Sequence, residues 1–193
     1  FHACVRQLSG IGFKILLDII ASSPEPIRFR ELPYQFRERR SGASKLDSRV
    51  AWDYLMLLLD KRIGRFIPVR FVSFAIVGGA GVVMHFATLT LLYMLIGVNF
   101  VASQAVATVS AMVFNFAVNN VLTYYDVRFT GLRWFAGLLS FVLVCSVGAV
   151  ANVGVADFLF HNHTYWALSA AAGILMSAVW NYAVTSIYTW KVR

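Results

Sequence analysis

The residues best suited to chemistry gather in one short stretch, Glu31 to Lys45, reading ELPYQFRERRSGASK. Directly after Arg30, it brings Arg37, Arg39, Arg40 and Lys45 together with Ser41, Gly42 and Ser44. Such a set suits an anion, most naturally a phosphate. Arginine offers a planar fork of donors, lysine a mobile point charge, serine a hydroxyl, and glycine lets backbone N–H groups come close. The same residues also read as a solvated basic loop that attracts anionic headgroups and does no chemistry. Residue types alone leave both readings open.

The rest of the chain decides where that loop sits. Of 193 residues, 59% are hydrophobic and 13% charged, and the mean hydropathy is +0.69. These values exclude an ordinary soluble domain and point to an integral membrane protein. The net charge of +8 does not imply nucleic acid, because most of the basic residues between Arg28 and Arg65 fall just ahead of the apolar region, where anionic lipid is the natural counter-charge. Cys4 and Cys145 lie far apart, one ahead of the membrane region and one inside it, so no disulfide is expected. The chain opens on Phe1, and it reads as the C-terminal piece of a longer protein.

Three stretches must hold the loop in place. Residues 1–46 read as the remnant of a soluble domain. In it Ile11 to Ile20 forms a helix with Lys14 and Asp18 as its polar stripe, and Ile27 and Phe29 alternate with Arg28 and Arg30 as in a half-buried strand. Residues 47–66 read as a helix lying on the membrane, with Arg49, Asp53 and Asp60 polar against Trp52, Leu55, Leu58 and Leu59. Residues 67–193 hold four spans: two between Phe71 and Tyr125, broken at Gly97 to Ser103, then Arg133 to Phe160 and Tyr165 to Trp190. Basic residues flank the first span, the Asp126 to Arg133 loop and the tail, so both termini are expected in the cytoplasm. Trp134, Trp166 and Trp190 mark the interfaces.

A shift of 66 positions lays NFAVNNVLTY at Asn115 to Tyr124 over NYAVTSIYTW at Asn181 to Trp190. Stepping by four, Ser103, Ala107, Ala111, Asn115, Asn119 and Thr123 align with Ser169, Gly173, Ser177, Asn181, Thr185 and Thr189. Small and amide side chains at this spacing make packing seams. Two spans per repeat give two parallel repeats about an axis along the membrane normal. Asn115, Asn119 and Asn181, with Asn120 and Asn152, either line a polar path for a lipid-linked sugar or act as glue between helices. The lack of an ionisable partner beside them favours glue. His85 reads as a hydrogen-bonded core histidine, Gly78, Gly79 and Gly81 as sites of close helix approach, and His161 and His163 as too few to hold a metal.

Residues Phe71 to Arg193 resemble the GtrA-like family of four-span membrane proteins, through NFAVNNVLTYYDVRF and NYAVTSIYTWKVR. The preceding residues resemble the end of a polyprenyl-phosphate glycosyltransferase of the dolichol-phosphate mannose synthase type. The carriers are GFKILLDII, ELPYQF and the pattern of Phe36, Arg39, Gly42, Ser44 and Lys45. The fold thus implied is mainly α and membrane-embedded, two parallel two-helix repeats preceded by the C-terminal edge of a GT-A type α/β domain. The implied reaction moves a sugar, typically mannose from GDP-mannose, onto dolichyl or polyprenyl phosphate, aided by Mg or Mn. Lys14, Arg39, Ser44 and Lys45 match phosphate-engaging positions, with Gly42 supporting the loop. The acidic D-x-D motif for the metal does not occur in this sequence, so no catalytic residue is assigned and these 193 residues alone are expected to be inactive. Two other readings stay open: a translocase for polyprenyl-linked sugar, and a structural anchor or oligomerisation module. Membrane lipids and a second copy of the chain remain candidate partners.

Overall fold

Hydrocarbon offers no partner to a backbone N–H or C=O, so an apolar chain of this kind must satisfy its backbone within each segment, as a helix does. The computed structural model describes residues 8, 15–23, 27–35 and 48–191, and among them it contains helices and turns but no strand. The chain divides into two compact units, Phe1–Val69 and Arg70–Arg193.

In the first unit, α1 (Ile15–Ser22) and α2 (Ser48–Ile63) are joined by charge. Lys61 Nζ on α2 lies 2.5 Å from Asp18 Oδ1 on α1 and donates to Ser22 Oγ at 2.7 Å. Ser22 in turn donates to the Asp18 carbonyl at 2.6 Å, closing the cluster. Asp18 is therefore buried, while Ile15, Leu16 and Ile20 stay exposed on this chain. Asp18, expected in the polar stripe of this helix, lies on the side that holds α2. Asp53 departs from expectation for the same kind of reason: with Met56 and Leu57 it falls on the buried side of α2, leaving Tyr54, Leu55 and Leu58 outward. Residues 27–35 are irregular and exposed, so the expected strand is not formed. A strand persists only as one member of a ladder, and among the described residues none is offered.

The second unit is built from α3 (Val69–Thr90), α4 (Phe100–Val121), α5 (Arg133–His161) and α6 (Trp166–Val184). Wider π turns extend α3 through Leu91–Ile96 and α6 through Thr185–Thr189. The turn between α3 and α4 has clear local causes. Gly97 takes the left-handed conformation (φ 81°) that ends a helix at little steric cost. Asn99 then caps α4, its side chain accepting from Ala102 N at 2.9 Å. Val69–Ile96, Phe100–Val121 and Arg133–His161 are long and apolar enough to cross a membrane. Val83, Val101, Leu143, Val150 and Val153 face outward from them, as lipid contact requires. The seam positions turn inward: Ser103, Ala107, Asn119, Thr123, Ser169, Thr185 and Thr189 are all buried.

Replacing Lys61 with methionine removes the positive charge beside the buried Asp18 carboxylate, a change expected to cost about 3 kcal/mol. The expected result is faster proteolysis between α1 and α2 in the full-length protein, partly reversed by adding Asp18→Asn. Unchanged protease resistance in Lys61→Met would mean that the ion pair does not hold these helices together.

Candidate functional site

The polar centre of the second unit is assembled by the same contacts made twice. Ser73 Oγ on α3 meets Thr123 Oγ1 at 2.7 Å, and Ser140 Oγ on α5 meets Thr189 Oγ1 at 2.9 Å. Thr189 follows Thr123 by 66 positions, whereas Ser140 follows Ser73 by 67. The repeat therefore includes the first helix of each pair, offset by one residue. With that offset, Phe74 against Tyr182 (centroids 5.8 Å) corresponds to Phe141 against Phe116 (5.7 Å).

The two repeats meet at Tyr124 and Trp190, which occupy matching positions and stack on one another, centroids 4.0 Å apart and planes 9° from parallel. Around this stack the hydrogen bonds are reciprocal. Tyr124 Oη pairs with Ser186 Oγ at 2.8 Å, and Trp190 Nε1 donates to Asn120 Oδ1 at 3.2 Å. Because Ser186 lies 66 positions after Asn120, each bond is the image of the other, the signature of a two-fold contact. Burial pushes the Tyr124 phenol up to about 12, outweighing the opposing effect of Ser186, so it remains a neutral hydroxyl. Trp190 is consequently part of the core (3% exposed) and not the interfacial marker expected of it. Stacking on an aromatic partner adds to what the ring gains from burial alone.

Asn120 does a second job. Its amide donates to the Phe129 carbonyl at 3.0 Å and accepts from Phe129 N at 2.7 Å, clamping the loop between α4 and α5. Asn119 is also satisfied, donating to the Asn115 carbonyl at 2.9 Å and accepting from Thr123 at 2.7 Å. Asn115 and Asn181 differ. Each presses against a glycine of the neighbouring helix in its own repeat, Gly81 on α3 and Gly148 on α5, and a Cβ at either glycine would overlap the amide. The Oδ1 atoms of Asn115 and Asn181 are buried and accept no hydrogen bond. Both line one cavity of about 400 Å³ among α3, α4, α5 and α6, with Asn119, Asn152 and Ser177. Asn152 makes a third contact of this kind, with Gly173.

Of the expected seam residues, Asn119 is satisfied within its own segment by Asn115 and Thr123, while Asn115 and Asn181 press their amides against Gly81 and Gly148. Gly81 alone among the three α3 glycines meets another helix; a Cβ on Gly78 or Gly79 would touch nothing within 4 Å. His85 packs edge-on against Phe86, centroids 5.7 Å, rather than making the hydrogen bond expected of it. Lys14, Arg39, Gly42, Ser44 and Lys45 lie outside the described residues. Sequence reasoning passed over the Asn120 clamp and the Gly148 and Gly173 contacts, of which the 67-position offset from Gly81 could have revealed Gly148. At the edge of the unit, Arg70 Nη2 pairs with Asp126 Oδ2 at 2.5 Å, fastening the start of α3 to the turn after α4.

Residues 73–190 match the family described as GtrA/DPMS, transmembrane domain. A dolichol-phosphate mannosyltransferase of Pyrococcus furiosus is 29% identical over 188 residues, covering 95% of this chain and 51% of that protein. One of Mycosarcoma maydis is 36% identical over 75 residues, covering 37% of this chain and 26% of the relative. The chain spans about half the length of the first relative and about a quarter of the second.

Gly81→Ala and Gly148→Ala are each expected to destabilise the unit by about 1–3 kcal/mol through overpacking. Shortening the facing amide, Asn115→Ala or Asn181→Ala, should relieve the effect only within its own repeat. Thermal unfolding in detergent tests this: rescue that ignores the pairing contradicts the assigned contacts. Trp190→Ala, which empties the two-fold contact, is expected to cost about 3–5 kcal/mol by the same assay.

Proposed function

We propose, for a chain that belongs to the GtrA/DPMS transmembrane-domain family, that it forms the membrane part and the last catalytic-domain elements of an enzyme transferring a sugar to dolichyl or polyprenyl phosphate. The observation that carries this reading is the extent of the Pyrococcus furiosus match. Coverage of 95% of the chain takes in the Glu31 to Lys45 loop as well as the helices. Both relatives bear the name dolichol-phosphate mannosyltransferase, which supports mannose as the sugar; the donor in this reading is GDP-mannose.

The chemistry asked of the loop follows from charge. Donor and acceptor both present phosphates, and negative charge builds on the departing nucleoside diphosphate as the sugar moves. Arg39 and Lys45, with Lys14 and Ser44, supply preorganised donors where that charge appears, and Gly42 lets the backbone come close. A divalent metal would add Lewis-acid stabilisation in the full-length enzyme. Among the described residues no three His, Cys, Asp or Glu side chains converge, so these residues do not fit that metal and no step is routed through it.

In the membrane unit, α6 (19 residues) and its π extension (5 residues) form a fourth span beside the three long helices. An even number of spans returns the chain to its starting side, and the basic flanks make that side the cytoplasm. The four spans anchor the enzyme in the bilayer that contains its lipid acceptor, which replaces a three-dimensional search by a local one.

In the full-length protein, Arg39→Ala and Lys45→Ala are each expected to lower mannosyl transfer to dolichyl phosphate by about 10²-fold while membrane insertion is unchanged. The 193 residues expressed alone are expected to transfer none. Wild-type rates in both loop variants would remove the basic loop from the mechanism.

A further inference from the structure

The described lysines and arginines of the second unit lie at one end of it, since residues 71–127 and 134–190 contain none. Arg70 is neutralised there by Asp126, and the unit's other acid, Asp157, lies near the far end of α5. Arg128, Arg133 and Lys191 are exposed, and none of them forms an ion pair among the described residues. Their backbone is firmly held. Asn120 fixes Phe129, next to Arg128, through both backbone groups, and it accepts from Trp190, next to Lys191. One amide thus gathers at one end of the bundle two cations that are 63 positions apart. Gly131, in the left-handed conformation (φ 58°), turns the chain into α5, and Trp134 N donates to its carbonyl at 3.1 Å. Arg133 opens that helix, whose start has no side-chain cap, so the positive end of its dipole adds to the same field.

We propose that residues 128–133, with Lys191, form a docking surface for the headgroups of anionic bilayer phospholipids. The neighbours of the cations select this partner. Leu132 is 87% exposed and Phe135 64% exposed on either side of Arg133, so cation and apolar surface alternate. A nucleic acid or an acidic soluble protein would meet those apolar side chains with polar groups. A phospholipid sets its phosphate against the arginines and its chain against Leu132 and Phe135, as at any headgroup boundary. Net charge then separates the lipids: a zwitterionic headgroup brings an ammonium that the uncompensated cations repel, and an anionic one does not. Because Asn120 holds the loop beforehand, little ordering is left for the lipid to impose. The surface is separate from the Glu31 to Lys45 loop and does not depend on the reaction proposed for the enzyme.

The test captures the lipid that lies against the loop. The photoprobe p-benzoylphenylalanine is placed at Thr130, which is exposed within it, in the full-length protein in nanodiscs of equal phosphatidylglycerol and phosphatidylcholine. After illumination the attached lipid is identified by mass spectrometry. Phosphatidylglycerol is expected to exceed phosphatidylcholine about fivefold, and the excess is expected to disappear in Arg128→Gln combined with Arg133→Gln and Lys191→Gln. The same photoprobe at Phe100, exposed at the opposite end of the unit, is expected to capture both lipids equally. Comparison of the Thr130 and Phe100 positions stands by itself should the triple variant not fold. Equal capture at Thr130, a matching excess at Phe100, or an excess that survives in the triple variant overturns the proposal. So does capture of undecaprenyl phosphate in preference to an equal amount of phosphatidylglycerol, which would assign the surface to the lipid acceptor instead.

Discussion

The architecture of the membrane unit depends on the stack of Tyr124 on Trp190. Two aromatic rings at matching positions of an internal repeat can face each other at 4.0 Å only if the repeats are related by a two-fold operation passing between them. The reciprocal bonds to Ser186 and Asn120 then follow as a pair, as do the two Phe contacts. In a bilayer this matters more than in water, because lipid tails compete with apolar side chains on nearly equal terms. Packing shape and interhelical hydrogen bonds must supply the specificity that the hydrophobic effect provides elsewhere. Phe116, fully buried between Trp134, Phe141 and Trp190, fills the space that the stack leaves on one side.

The glycine and asparagine contacts answer the same constraint on a smaller scale. Gly81 and Gly148 accept an amide where any side chain would collide, so helices of one repeat approach closely and the amide is fixed in direction. The seam then divides its labour. Asn119 and Asn120 spend their hydrogen-bonding capacity on the protein itself, the latter fastening Phe129 and Trp190 at once. Asn115 and Asn181 instead bury their oxygens against Gly81 and Gly148 and accept no hydrogen bond. One motif, NFAVNN, therefore contains both hydrogen-bonded amides and one fixed by contact with a glycine.

Charge organises the first unit in the way that shape organises the second. The Asp18, Ser22 and Lys61 cluster joins two short helices that have little apolar area to share. A buried ion pair of this kind adds little net stability over an apolar substitute but fixes register strongly, since either partner left alone is costly. It also accounts for the outward apolar face of α2, at Tyr54, Leu55 and Leu58, which suits a helix lying in a headgroup layer beside Lys61, Arg62 and Arg65.

Much of this was written in the residues. Hydropathy and charge determined the membrane class, and the break at Gly97 and the start at Arg133 followed from local turn and charge signals. The four-residue seam on α4 and α6 was legible because small residues at helical spacing mark one face. Tertiary structure alone decided which helix meets which face. It showed that the first helices repeat at 67 positions and not 66, a slip that hides them from a single alignment. It packed Trp190, expected as an interface marker, and Asp18, expected in a polar stripe, against distant partners, because a stacking ring and a lysine arrive from 66 and 43 positions away. Periodicity reports neighbours along one helix; partners across helices depend on packing, which no local pattern encodes.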